Sequence, residues 1–199
     1  MPEFVALTLE HAILVGVTAL AAILIGVPAG MAATRYPHLR RGTLAVASVF
    51  QTIPSLALFG FLVPAPFIGG IGKRTALVAL ILYALLPSVR NTVTGITGID
   101  PAIRESAVAM GMTDRQVLFS VEVPLAARTI LAGIRIATVT TVGTATIAAA
   151  IGGGGLGVLI FRGISLVDSS QILAGAIPAA ALALAADAVL SWVENKLSA

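Results

Sequence analysis

Five apolar runs constrain this chain more than any other feature. They cover residues 12–33, 43–63, 75–96, 129–151 and 172–193. Each matches the roughly 20 residues a helix needs to cross a hydrocarbon layer about 30 Å thick. None shows the strict alternation of a barrel strand, and only helices or closed barrels satisfy their own backbone polar groups in lipid. The expectation is an all-α, polytopic protein with five transmembrane helices in a single membrane domain over 1–199. Charged residues make up 11% of the chain, against about 25% in soluble domains, and the mean hydropathy is +1.03. Most of the surface therefore meets membrane lipid.

Five spans put the termini on opposite sides. Arg35, Arg40, Arg41, Arg104, Arg115, Arg128 and Lys196 fall on one side, and Lys73, Arg74 and Arg162 on the other. Basic loop residues collect in the cytoplasm, so the N-terminus is expected outside and the C-terminus inside. Arg90 and Arg135 lie within spans three and four, near enough to the cytoplasmic ends for their stems to snorkel. The net charge of +3 follows this topology and comes with no basic, aromatic-interleaved run, so no nucleic-acid partner is expected. The chain has no cysteine, which excludes disulfides, thiolate metal sites and cysteine nucleophiles. His11 and His38 read as a span end and a loop, too far apart for a metal site. With Glu3 and Glu10 and no basic residue ahead of it, the first run reads as a retained span rather than a signal peptide. No catalytic constellation and no cofactor is expected.

The 98–128 segment separates spans three and four and is not apolar enough to cross. Asp100 caps a helix that Pro101 opens. Ile103, Ala107 and Met110 fall on one face, and Gly111 ends the helix. Thr113 and Gln116 have capping-box spacing for a second short helix, which Pro124 ends before the chain re-enters the membrane. The expected product is a helix, a tight turn and another helix presented to the cytoplasm. Its apolar face and Glu105 suit a groove on a partner. The chain has no nucleotide-binding loop: in Gly69–Lys73 the required leading glycine is Phe67, and no Ser or Thr follows the lysine. The other glycine-rich stretch, Gly152–Gly157, reads as a tight turn or a close helix contact.

Polar groups inside spans mark candidates for a solute path. They are Gln51 and Ser55, one turn apart around Pro54; Tyr83 and Asn91, either side of Pro87; and Thr141 and Thr144, with Thr138 and Thr140 beside them. Asp187 pairs with Arg135 or Arg90, or sits at the interface. Gly26 and Gly30 flank Pro28 and allow a neighbouring helix close.

Glu105-Ser106-Ala107, then Gly111, then Val121-Glu122-Val123-Pro124 resemble the EAA loop of binding-protein-dependent ABC importer permeases. Glu105, Ala107, Gly111 and Pro124 match the motif at its spacing, and Ser106, Val121 and Val123 are small or apolar exchanges. Gln51–Ala57, Tyr83–Thr92, Gly143–Thr146 and Gly152–Gly157 resemble the osmoprotectant branch, which imports glycine betaine, choline, carnitine and similar quaternary amines. The resemblance implies the type I importer permease fold in a bacterial cytoplasmic membrane. It also implies a second permease copy or sister chain, two ABC ATPase subunits that bind ATP and Mg, and an extracytoplasmic solute-binding protein. ATPase coupling would fall to Glu105, Ala107, Met110, Gly111 and Pro124. Alternative readings are the same fold importing an amino acid or an ergothioneine-like betaine, an autonomous channel, or a membrane-embedded enzyme.

Overall fold

A computed structural model describes residues 2–196. Met1 and residues 197–199 lie outside the described part. Eight helices follow in order: α1 Pro2–Arg35, α2 Pro37–Thr52, α3 Ser55–Leu62, α4 Lys73–Thr97, α5 Pro101–Ala109, α6 Asp114–Ile151, α7 Gly157–Leu166 and α8 Ser169–Lys196. Helices α1, α4, α6 and α8 are each long and apolar enough to cross a membrane, and α2 with α3 makes a fifth if the bent pair counts as one span.

Prolines shape these helices. A proline inside a helix lacks its N–H, and its ring collides with the carbonyl four residues back. In α1 a π-helical stretch, Ala22–Gly26, lies just ahead of Pro28, and in α6 another, Val117–Glu122, lies just ahead of Pro124. The wider turn moves the offending carbonyl aside, so neither helix breaks. This corrects two expectations. Pro124 does not end a short helix, and Thr113 caps one long helix that runs on to Ile151. Pro54 behaves differently: Ile53 and Pro54 are extended, and the chain turns by 101° between α2 and α3. Gln51 and Ser55 are therefore not one turn apart on a continuous helix.

Two further expectations shift. Because α1 begins at Pro2, His11 sits well inside it, fully buried, with Nε2 3.1 Å from the Val142 carbonyl. His38 lies in the first turn of α2 rather than in a loop. The region between the last two long helices contains the short helix α7.

Helices α4 and α6 form the central pair. Ala22, Ala84 and Ala137 let α1, α4 and α6 meet at one crossing. At the Lys73 end, Leu58 and Phe59 of α3 join Leu14, Leu80 and Val142 in the main apolar cluster. Helix α8 is peripheral, with Gly175 and Ala179 as its buried residues. Its start is capped by Asp168, whose carboxyl the Ser170 hydroxyl and the Gln171 side chain hold down at about 2. That cap is present at neutral pH and weakens only as pH falls from the usual carboxylate range towards 2.

Glycine matters most where helices touch. A Cβ on Gly30 would lie 2.6 Å from the Thr92 Cβ, and one on Gly133 would lie 2.5 Å from the Asn91 Cβ. Gly152, Gly154 and Gly155 have positive φ, so the glycine-rich stretch is a tight turn. It is also a close contact, because a Cβ on Gly157 would collide with the Thr146 carbonyl. Overpacking typically costs about 1–3 kcal/mol. Gly30→Ala should lower the thermal midpoint of the purified protein, whereas Gly16→Ala, with nothing near its Cβ, should not. Paired thermal-shift measurements in one detergent check this.

Candidate functional site

Helix α5 is built as its local sequence dictates. Asp100 Oδ1 accepts from the Ala102 N–H at 2.9 Å, and Pro101 supplies the first helical φ. The helix ends at Met110, and Gly111 turns the chain at φ +83°. No atom lies within 4 Å of where a Gly111 Cβ would be, so the position demands glycine for its backbone and not for space. Thr113 and Gln116 then form the reciprocal capping box at the head of α6. The expected apolar face divides. Ala107 is buried against the chain itself, whereas Ile103 and Met110 point outward together with Val108, at 42%, 76% and 55% exposure. Glu105 is also exposed, and Pro124 lies exposed on α6.

The sequence reading missed one residue, Glu122. It is only 2% exposed. Both oxygens accept from Arg35 at the end of α1, with Nη1 to Oε1 at 3.4 Å and Nη2 on Oε2. Arg104 of α5 brings its Nε to 3.2 Å from Oε1. A lone acid in the stretch Val121–Leu125 was the available signal, since a buried carboxylate needs partners. Leaving such a group with no partner costs about 3–5 kcal/mol. A second ionic group ties α6 to α8: Arg135 contacts Asp187 at 2.9 Å and Glu194 at 3.1 Å, and Arg128 contacts Glu194 at 3.5 Å. Of the partners open to Asp187, the structure selects Arg135.

The candidate path residues fall into two groups. Pro87 cannot donate to the Tyr83 carbonyl, and Gln51 Nε2 donates to it instead at 3.2 Å. In return the Tyr83 hydroxyl donates to the carbonyl of Ile53, at the α2–α3 break. Gln51 and Tyr83 thus form a polar corner at which a break in one helix and a proline in another satisfy each other. Ser55 opens α3 beside it, half-buried. The other three bond their own helices: Asn91 Nδ2 to the Pro87 carbonyl at 2.9 Å, Thr141 to Ala137 at 2.6 Å and Thr144 to Thr140 at 2.9 Å. Thr141 is buried, while Asn91 and Thr144 are half-buried. Tyr83→Phe leaves the Ile53 carbonyl without its donor, at about 1–3 kcal/mol. It should lower the thermal midpoint in detergent, while Tyr36→Phe, on an exposed ring, should leave it unchanged.

The comparisons with known proteins agree on what this architecture is. The family described as binding-protein-dependent transport system inner membrane component matches residues 22–199. A Bacillus subtilis glycine betaine/carnitine/choline transport system permease protein is 46% identical over 178 residues, covering 89% of this chain and 76% of that one. An osmoprotectant import permease protein of Salmonella typhimurium is 44% identical over 193 residues, covering 96% of this chain and 88% of its own. Among solved structures, a chain of the MetNI methionine ABC transporter in an inward-facing conformation superposes with a TM-score of 0.88 at 22% identity, covering 99% of this chain and 97% of that one. A family match over most of the length, relatives above 40% identity and the shared fold lead to one conclusion: the chain belongs to the binding-protein-dependent transport system inner membrane components, and is an ABC importer permease rather than an enzyme.

Proposed function

We propose that the chain forms the solute path of an osmoprotectant importer, moving quaternary amines such as glycine betaine, choline or carnitine inward by alternating access. The observation that carries the coupling half of this reading is helix α5. It is short, capped at its start and turned sharply at Gly111, and it holds Ile103, Val108 and Met110 outward at the end where α1 finishes. Exposed apolar side chains on a short helix suit a groove in an ATPase subunit, with Glu105 as a polar anchor. Ala107 seats the helix on its own chain, and Pro124 follows the wide turn that carries Glu122. The substrate half is supported by the relatives, whose names carry glycine betaine, carnitine and choline.

The partners in this reading are two ABC ATPase subunits, which bind the ATP and Mg, a second permease copy or a sister chain, and a solute-binding protein outside. Five spans at most cannot enclose a gated path alone. The Lys73 end faces outward, where Lys73 and Arg162 are neutralised by Glu10 and Glu3, and α5 faces the cytoplasm. The path runs by the polar corner of Gln51, Ser55 and Tyr83, with Asn91, Thr141 and Thr144 further along α4 and α6.

Two experiments test the two halves. Cells lacking other betaine uptake systems, supplied with this permease and its partners, should regain growth at high salt with glycine betaine, choline or carnitine. Uptake of an unrelated solute with failure for all three would overturn the substrate. For coupling, a β-branched residue forced to φ +83° costs on the order of 1–2 kcal/mol. Gly111→Val should reach the membrane at near-normal abundance but lose transport and ATPase association. Gly111→Asn, whose side chain tolerates that backbone, should lose less, and Ser165→Ala, in α7 at the opposite end, should retain the ATPase. Normal transport and a retained ATPase in Gly111→Val would remove the coupling role from this loop.

A further inference from the structure

Helix α5 is held to the rest of the chain by little. It packs on the π-helical turn of α6, where Ala107 and Val117 are buried at 2% and 1% exposure. Its ion pair into the body, alone among those the described residues form, is Arg104 to Glu122. Arg104 and Ala107 are three residues apart, on one face of the helix. A helix resting on a single alanine is free to roll about it. A second, directional contact on the same face removes that freedom, and an arginine–carboxylate pair is short-ranged and oriented.

The carboxylate that receives Arg104 is already committed elsewhere. Arg35, at the end of α1, grips it with both terminal nitrogens. Arg104, itself half exposed at 51%, shares this carboxylate with Arg35, so its contact both meets the buried charge and ties α5 to the body. The Glu122 carboxylate is where three elements meet: the end of the first membrane helix, the head of α6 and the outlying α5.

We propose that Glu122 is a positioning residue that makes α5, the end of α1 and the head of α6 move as one body, so that displacement of α5 reaches the membrane helices. This rests on the reading of α5 as the ATPase-coupling helix. Displacement of α5 pulls on Arg104, passes to the carboxylate and divides between Arg35 and the axis of α6. Since Glu122 lies in the π-helical turn ahead of Pro124, the load enters α6 at its least regular point, where bending is easiest. Without the tie, α5 rolls on Ala107 and the membrane helices stay behind.

The test uses the assembled importer, and the cysteine-free chain makes labelling direct. Spin labels at Tyr36→Cys and Ala109→Cys, both exposed, report the distance between the end of α1 and α5. Dilution with unlabelled chains keeps the measured pair within one subunit. In the wild-type background the distance should be the same at rest and after trapping with ATP and vanadate. In Arg104→Gln and in Glu122→Gln it should shift or broaden on trapping. Uptake of labelled glycine betaine per ATP hydrolysed should fall about fivefold or more, in the range of ordinary site–site coupling, while the ATPase stays bound. Arg104→Gln leaves the Arg35–Glu122 pair intact, so it guards against simple misfolding. Combining the two substitutions should be no worse than Glu122→Gln alone. An unchanged, narrow distance in both variants overturns the proposal, as does uptake that falls only in step with hydrolysis. Normal transport with a retained ATPase in Gly111→Val would instead remove the coupling reading beneath it, and the distance measurement does not depend on the solute.

Discussion

A carbonyl oxygen in hydrocarbon has no water to bond to, and most of this structure can be traced to that constraint. Prolines remove donors at Pro28, Pro54, Pro87 and Pro124, and they are accommodated in three ways. Ahead of Pro28 and Pro124 the helix widens to a π turn. At Pro87 the freed Tyr83 carbonyl is taken by Gln51 from another helix. At Pro54 the helix gives way, and the Tyr83 hydroxyl covers the Ile53 carbonyl. The irregular points at Pro54 and Pro87 are thus linked to each other, so a movement at one must be answered at the other.

Charge follows the same economy. Several buried or half-buried acids are met by arginine or lysine from a different helix: Glu122 by Arg35 and Arg104, Glu194 by Arg128 and Arg135, Glu10 by Lys73. One of these pairs joins α5, whose one buried side chain is Ala107, to the body of the chain. Replacing such pairs with apolar groups is often neutral for stability. Their use here is directional, since each fixes where one helix sits against another.

Much of the architecture was legible in the sequence because lipid imposes length and polarity directly. The long runs, the capped helix after Asp100, the positive φ at Gly111 and the close approach at Gly26 and Gly30 each follow from a local rule. The misses have separate causes. Periodicity and proline rules treat a helix as α or broken, and a π turn is neither, so α6 was read as two pieces. Helix α7 is short and lies between a glycine turn and Val167, so its ten residues carry no span-length signal. Gln51 and Tyr83 looked like free polar groups because the carbonyls they satisfy lie far away in the chain.

By itself the sequence determined the class of protein, its membrane setting, the loop-borne helix and the family, because hydropathy, caps and motif spacing are local. Only the tertiary structure decided which of two arginines meets Asp187 and which carbonyls Gln51 and Tyr83 serve. It also brought Arg35 and Arg104 to Glu122. Those outcomes depend on residues far apart in sequence being brought within about 3 Å. No local rule can state that, because the distance exists only once the helices have packed.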